Sequence, residues 1–289
     1  MRILILGANG MLGHDMFHLL SEREDWMVFG AMRSKDSIKH FLVRFHERLV
    51  FGCDVLDQDG LVKVFNQIRP DVVINCVGLI KQKADAEEVL SAIPVNSLLP
   101  HRLAALCELA GARLIHISTD CVFSGLKGAY LESDPSDAKD VYGKSKFLGE
   151  VHYPHSITLR TSIIGHQLNG SVALVDWFLA QKNSCKGYKH AIFSGLPTVV
   201  LAEIVRDIVI PKSELHGLYH VAAKPISKFE LLKEVARVYS KSIEIEPDEI
   251  FKIDRSLNAD RFNAATGFIA PEWPALIKRM HDFSQSTTS

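Results

Sequence analysis

The chain opens Met1-Arg2-Ile3-Leu4-Ile5-Leu6-Gly7-Ala8-Asn9-Gly10-Met11-Leu12-Gly13. Ile3 to Leu6 is a short apolar run of the kind that forms a strand buried on both faces. Gly7, Gly10 and Gly13 follow in a turn, after which Met11, Leu12, Met16, Phe17, Leu19 and Leu20 recur with helical spacing. Strand, glycine turn and helix in that order form a dinucleotide-binding unit. The first glycine permits the tight turn, the second lets backbone N–H groups approach a pyrophosphate, and the third lets the helix pack close to the strand. A plain βα turn is the competing reading, and the context on both sides favours the cofactor. The candidate cofactor residues here are Gly7, Asn9, Gly10, Met11, Leu12 and Gly13. Their spacing is Gly-x-x-Gly-x-x-Gly, not the commoner Gly-x-Gly-x-x-Gly.

Working outward, the 289 residues suffice for one large α/β domain or two unequal ones. A net charge of −1 supplies no basic field for nucleic acid or an anionic membrane. No apolar run is long enough to span a bilayer, and a strand stands at the start where a signal peptide would be. Cys53, Cys76, Cys107, Cys121 and Cys185 are scattered without a Cys-x-x-Cys pair. That usage fits a reducing cytoplasm, with no disulfide framework and no zinc site. His101, His116, His152, His155 and His166 show no metal spacing, so no metal is expected.

Apolar runs predict further strands over 26–32, 49–54, 72–77, 114–118 and 157–161. Helices are expected over 56–68, over 84–110 with an interruption near Pro94 and a stop at Gly111, and from about Val141. Repeated βα units imply an α/β fold, a Rossmann-type doubly wound parallel sheet. The dinucleotide-binding domain is placed at 1–165. A smaller α+β substrate lobe is placed at 166–289, with some segments returning to the first domain. In that lobe we expect helices over 172–182, 201–210, 227–239 (capped by Ser227) and 275–283, and a strand over 217–221. The polar tail 284–289 is expected to fray. A homodimer is a candidate, since the apolar pattern from Leu98 to Leu109 suits core or interface equally.

Two further motifs carry chemistry. In Tyr142-Gly-Lys-Ser-Lys146, Tyr142 and Lys146 share a helix face. A tyrosine titrates near 10 and transfers protons poorly at neutral pH unless its anion is stabilised, which a lysine one turn away can do. Ile117-Ser-Thr-Asp-Cys-Val-Phe-Ser-Gly125 leaves the carboxyl end of a strand, where a hydroxyl can donate to a substrate oxygen. Each motif alone is commonplace. The region after the second strand, Ala31-Met-Arg-Ser-Lys35, lacks the acid that would hold an NAD ribose, whereas Arg33 and Ser34 suit a 2′-phosphate. NADPH is therefore expected in preference to NADH. Asp54 and Val55 follow the third strand, where Asp54 suits an adenine amino group or a helix cap. Cys76, Val77 and Gly78 end the fourth, where backbone should flank the cofactor.

Together these motifs resemble the extended short-chain dehydrogenase/reductases and, more narrowly, the dTDP-4-dehydrorhamnose reductase family. The marks span nearly the whole chain: Gly7 to Gly13, Ser118 to Phe123, Tyr142 to Glu150, Leu159 to Ser162, Pro197-Thr198, Tyr219 to Ala222, and Arg255 to Asn258. The resemblance implies a catalytic triad of Thr119, Tyr142 and Lys146, and hydride delivery to C4 of a nucleotide-linked 4-keto-6-deoxy sugar. It places Ser118 beside the cofactor, and Asn96 there too, with a helix cap as the equal alternative for Asn96. It places Asp120, Cys121, Val122, Phe123, Ile163, Arg255 and Asn258 toward the substrate. Cys121 stands where the family usually has tyrosine, and Ile163 where it usually has tryptophan. Those departures make a UDP-linked N-acetylated sugar an alternative substrate. A related dehydratase is disfavoured because Asp120 is followed by Cys121 rather than glutamate, and an epimerase because the NAD-holding acid is missing. A non-catalytic NADP-binding regulatory subunit, like the β subunit of methionine adenosyltransferase, is the reading from another class.

Overall fold

The computed structural model describes residues 1–79, 84–168, 170 and 172–287. Its contacts divide the chain into two interleaved units. The first comprises Met1–Ser118, Asp140–Leu159 and Ala202–Leu218; the second comprises Thr119–Lys139, Arg160–Leu201 and Tyr219–Ser289. The sequence expectation puts the boundary at 165 with some later segments returning to the first domain; in the structure Ala202–Leu218 groups with the first unit and Thr119–Lys139 with the second.

In chain order the strands and helices begin β1 (Arg2–Leu6), α1 (Met11–Leu20), β2 (Met27–Ala31), β3 (Leu49–Val50), α2 (Gln58–Ile68) and β4 (Val72–Asn75). They continue α3 (Val89–Ala92), α4 (Leu99–Ala110), β5 (Arg113–Thr119), α5 (Val141–Leu148), β6 (Ser156–Thr161) and β7 (Ile163–Ile164). Next come α6 (Leu174–Ala180), β8 (Ser184–Phe193), β9 (Leu196–Pro197), α7 (Thr198–Ile204) and β10 (Gly217–His220). The last are β11 (Ile226–Ser227), α8 (Lys228–Val238), β12 (Glu244–Asp254), α9 (Asp260–Thr266) and α10 (Trp273–Thr287).

The main sheet runs β10-β6-β5-β4-β1-β2-β3. β1 pairs in parallel with β2 and β4, β2 with β3, and β4 with β5. This is the expected Rossmann-like sheet. Leu4 and Leu6 of β1 join Val73 and Leu114 in a core with Leu61, Phe65 and Ile68 of α2 and Leu103 and Cys107 of α4. By strand alternation Ile3 and Ile5, also fully buried, face the opposite side. Both faces are thus buried, which is why the strand reads as a continuous apolar run.

Three local expectations are corrected. The strand predicted over 49–54 shrinks to two residues, because the Gly52 and Cys53 N–H groups turn back to the Arg33 and Met32 carbonyls. The interruption near Pro94 is a π-helical turn, Ile93–Leu98, that carries α3 into α4 without a break. The tail does not fray at 284, since α10 continues to Thr287 with Ser284 and Ser286 bonding back to the His281 and Phe283 carbonyls. Residues 288–289 lie outside the described residues.

The second unit holds a three-stranded sheet, β11-β8-β12, with β8 and β12 parallel, and a two-stranded sheet of β7 and β9. The sequence reading anticipated α8 and its Ser227 cap, which accepts from the Glu230 N–H at 3.1 Å, but not β8, β12 or α9. Among the described residues no helix is long and apolar enough to cross a membrane.

Candidate active site

The glycine turn is tight and closely packed. Gly7 takes φ +78°, and the Gly10 N–H donates to its carbonyl at 2.9 Å. The Gly7 and Ala8 N–H groups donate to the Ala31 carbonyl at 3.0 and 3.2 Å, which ties the turn to the end of β2. A Cβ at Gly13 would overlap the Gly7 carbonyl oxygen, so only glycine lets α1 start this close to the strand. Gly10 caps α1 without a side-chain hydrogen bond, and the first turn holds no acid. No carboxylate of that first turn therefore competes for its N–H groups. The Leu12 side chain is buried.

Asn9 Nδ2 donates to Ser37 Oγ at 3.3 Å, which ties the glycine turn to the segment after Arg33 and Ser34. Arg33 is exposed. The Ser34 hydroxyl accepts from the Asp36 N–H at 3.1 Å and donates to the Asp36 carboxylate at 2.8 Å. Asp54 Oδ1 accepts from the Leu56 N–H at 3.0 Å, a turn before α2, while Val55 packs on the core. The Cys76 N–H bonds the Leu6 carbonyl, and the Val77 N–H bonds Asn75 Oδ1 at 3.1 Å. Gly78 is exposed, and a Cβ there would lie 3.5 Å from Asn96 Oδ1 and 3.8 Å from Lys146 Nζ. The first unit therefore assembles Gly78, Asn96 and Lys146 at one place.

Asn96 is not a helix cap. It sits in the π-helical turn, where its Oδ1 accepts from the Leu79 N–H at 3.0 Å and its Nδ2 donates to Ser145 Oγ at 3.1 Å. Ser145 Oγ donates on to the Tyr142 carbonyl at 2.9 Å, and Ser97 Oγ to the Ser145 carbonyl at 2.8 Å. These bonds clamp α5 onto the π turn, a helical irregularity of the kind often found at functional sites. Gly149 completes the fit, because a Cβ there would overlap the Asn96 carbonyl oxygen. α5 itself begins on Asp140, whose carboxylate accepts from the Gly143 N–H at 2.7 Å.

Tyr142 and Lys146 lie one turn apart on α5, Tyr142 half-buried and Lys146 buried. Lys146 Nζ donates to the Ile117 carbonyl of β5 at 2.8 Å. Burial pulls its pKa down to about 8, against the upward pull of Glu150 and Cys76. Ser118 Oγ donates to Glu150 Oε1 at 2.7 Å, so the Ser118 hydroxyl is spent on a buried carboxylate. The sequence reading left Glu150 and Ser145 without roles, although both lie at helical spacings, four after Lys146 and three after Tyr142.

The second unit gathers another set. Thr119 ends β5 half-buried. Its Oγ1 donates to Asp120 Oδ1 at 3.2 Å and accepts from the Cys121 N–H at 3.2 Å. Burial pushes the Asp120 carboxyl up, opposed by Arg255 and by hydrogen bonds from Cys121, Thr119 and Ser162. Arg255 donates from Nε to the Phe123 carbonyl at 2.7 Å and reaches Cys121 Sγ at 3.9 Å. Asp120, Cys121, Ser162 and Arg255 thus form one cluster, with Ile163 next in chain on β7. Ser162 was missed, although it ends the quoted Leu159 to Ser162 stretch.

Three side chains expected toward the substrate are engaged within the protein. Val122 and Phe123 are fully buried in a cluster with Tyr130 and Leu257, where Phe123 stacks on Tyr130 at 4.0 Å. The Asn258 side chain is closed on Asp260, donating to its carboxylate at 2.9 Å and accepting from its N–H at 2.8 Å. Among the described residues no group of three His, Cys, Asp or Glu side chains is placed to hold a metal ion.

A family model described as the RmlD substrate binding domain matches residues 1–282. The chain belongs to that family. It is 29% identical over 234 residues to dTDP-4-dehydrorhamnose reductase of Aggregatibacter actinomycetemcomitans, covering 78% of this chain and 74% of that one. It is 26% identical over 253 residues to methionine adenosyltransferase 2 subunit beta of Danio rerio, covering 83% and 74%. Its fold matches the crystal structure of dTDP-4-dehydrorhamnose reductase from Bacillus anthracis in complex with NADP, at a TM-score of 0.80, 22% identity and 98% coverage of both chains.

Proposed function

We propose that this family member is an NADPH-dependent reductase of a nucleotide-linked 4-keto-6-deoxy sugar, of the dTDP-4-dehydrorhamnose reductase type. The observation that carries the reading is Tyr142 and Lys146 on one face of α5, with Lys146 beside Asn96 and Gly78 in the same unit as an anion-ready glycine turn. Bound NADPH would supply the hydride. The α1 N-terminus would hold its pyrophosphate, Arg33 its 2′-phosphate, and Gly78 and Asn96 would flank it. Tyr142 O–H would protonate the oxygen that becomes an alkoxide at C4, with the Lys146 ammonium stabilising the phenolate left behind. Thr119 would donate a second hydrogen bond to that oxygen once its proton leaves Asp120. The second unit, through Asp120, Cys121, Ile163 and Arg255, would receive the sugar.

The test is NADPH absorbance decay with a dTDP-linked 4-keto-6-deoxy sugar and, in parallel, a UDP-linked N-acetylated counterpart. Turnover of the first supports the reading, and turnover of the second alone makes Cys121 and Ile163 marks of a changed sugar pocket. The likeness to a methionine adenosyltransferase subunit supports a second reading as a partner-binding subunit. Tight NADPH binding, silence with both sugars and copurification with a synthetase would favour it.

A further inference from the structure

Lys146 and Glu150 are both about 5% exposed and are anchored to adjacent residues of β5. The lysine ammonium donates to the Ile117 carbonyl at 2.8 Å, and the carboxylate accepts from Ser118 Oγ at 2.7 Å. α5 ends at Leu148, and the Glu150 N–H folds back to the Phe147 carbonyl at 3.1 Å, so the carboxylate follows the lysine by one tight turn. We propose that Glu150 is a positioning residue whose carboxylate keeps the Lys146 side chain an ammonium at the pH where the enzyme works, so that it governs the proton chemistry of Tyr142 from behind. The assignment rests on the proposed role of Lys146.

The other titratable groups around this lysine do not substitute for Glu150. Cys76, at the end of β4, would hold the ammonium as a thiolate, but burial pushes its thiol up to about 12. His116, on β5, is fully buried, and burial together with Lys146 and His101 holds its pKa well below the usual histidine range. It therefore stays neutral, with Nδ1 facing Asn75 Nδ2 at 3.1 Å. Tyr142, one turn before on α5, is neutral until it gives up its proton. Among the described residues, Glu150 is the carboxylate whose charge favours the ammonium form of Lys146. A buried ammonium without such a partner loses its proton more readily, because desolvation penalises the charged form.

The test uses Glu150→Gln, whose amide oxygen can still accept from Ser118 while the charge is gone. The Lys146 side chain is titrated by heteronuclear NMR in the ligand-free protein carrying isotope-labelled lysine. Its resonance is assigned by its loss in Lys146→Arg. The wild-type midpoint should lie near 8, and the Gln midpoint about one pH unit lower or more. Glu150→Asp, which keeps the charge but draws it back by one methylene, should show a smaller drop. It carries the test if the Gln variant fails to fold. An unchanged midpoint in the folded variants overturns the proposal. The alkaline limb of turnover should follow the NMR midpoint in each variant. A midpoint that moves while the limb stays overturns the role of Lys146 in turnover and leaves Glu150's hold on the ammonium standing.

Discussion

Asn96 Nδ2 donates to Ser145 Oγ at 3.1 Å across 49 residues of chain, while its Oδ1 accepts from the Leu79 N–H at 3.0 Å. One buried amide thus joins the segment after β4, the π turn and α5. Asn96→Ala leaves the Leu79 N–H and the Ser145 hydroxyl without these partners, at a cost of about 1–3 kcal/mol. Denaturant unfolding should show that loss, and turnover should fall with it, because α5 carries Tyr142 and Lys146. Wild-type stability in the variant would contradict the clamp.

Gly13→Ala should be worse than an ordinary helical glycine-to-alanine change, which stabilises helices by about 1 kcal/mol. The new Cβ would overlap the Gly7 carbonyl oxygen, so α1 must move off β1. We expect a lower melting temperature and NADPH affinity weakened at least about tenfold, each from a displacement costing roughly 1–3 kcal/mol. Thermal melts with and without NADPH measure both effects.

His220 should make the second unit acid-labile. The ring is fully buried, with Nε2 3.2 Å from Arg160 Nη1 and Nδ1 3.1 Å from the Tyr130 carbonyl. Burial first, then Arg160, lowers its pKa from 6.5 to about 4. Between those values the unfolded chain takes up a proton that the folded chain refuses. Stability from this group is therefore fully present above about 6.5 and is lost as pH falls toward 4. Chemical denaturation at a series of pH values should show that slope, and His220→Gln should reduce it, leaving the part contributed by the likewise buried His18 and His116.

Lys146 gives the opposite limb. With its pKa near 8, the ammonium that the proposed role of Tyr142 requires is present at neutral pH and lost as pH rises through that value. Turnover should therefore decline above about pH 8, well below the usual tyrosine or lysine range. Lys146→Met should lower turnover about 10²-fold or more at every pH. A flat profile to pH 10 would contradict the assignment.

What the sequence revealed follows from where each determinant lies. Gly7, Gly10 and Gly13 adjoin the strand and helix they connect, and the Ser227 cap adjoins its own helix, so both were readable in a short window. β8 and β12 were not: β12 is largely exposed, and the two strands are matched through residues distant in sequence, as in the Lys186–Asp248 and Lys189–Glu249 pairs across the sheet. Arg160 was legible as part of the strand over 157–161, but not its buried pairing with His220, 60 positions on. Val122 and Phe123 were placed toward the substrate by the motif they share with Thr119 and Asp120, yet both side chains are fully buried. Their burial depends on Tyr130 and Leu257, which no local pattern connects to them.

The most direct measurement is NADPH oxidation by the wild-type protein and by Tyr142→Phe, each supplied with the dTDP-linked and the UDP-linked keto sugar. The account predicts sugar-dependent oxidation by the wild type, and a fall of about 10²–10⁴-fold in Tyr142→Phe with NADPH affinity unchanged. Full turnover in Tyr142→Phe, or no oxidation with either sugar by a wild type that binds NADPH tightly, would contradict it.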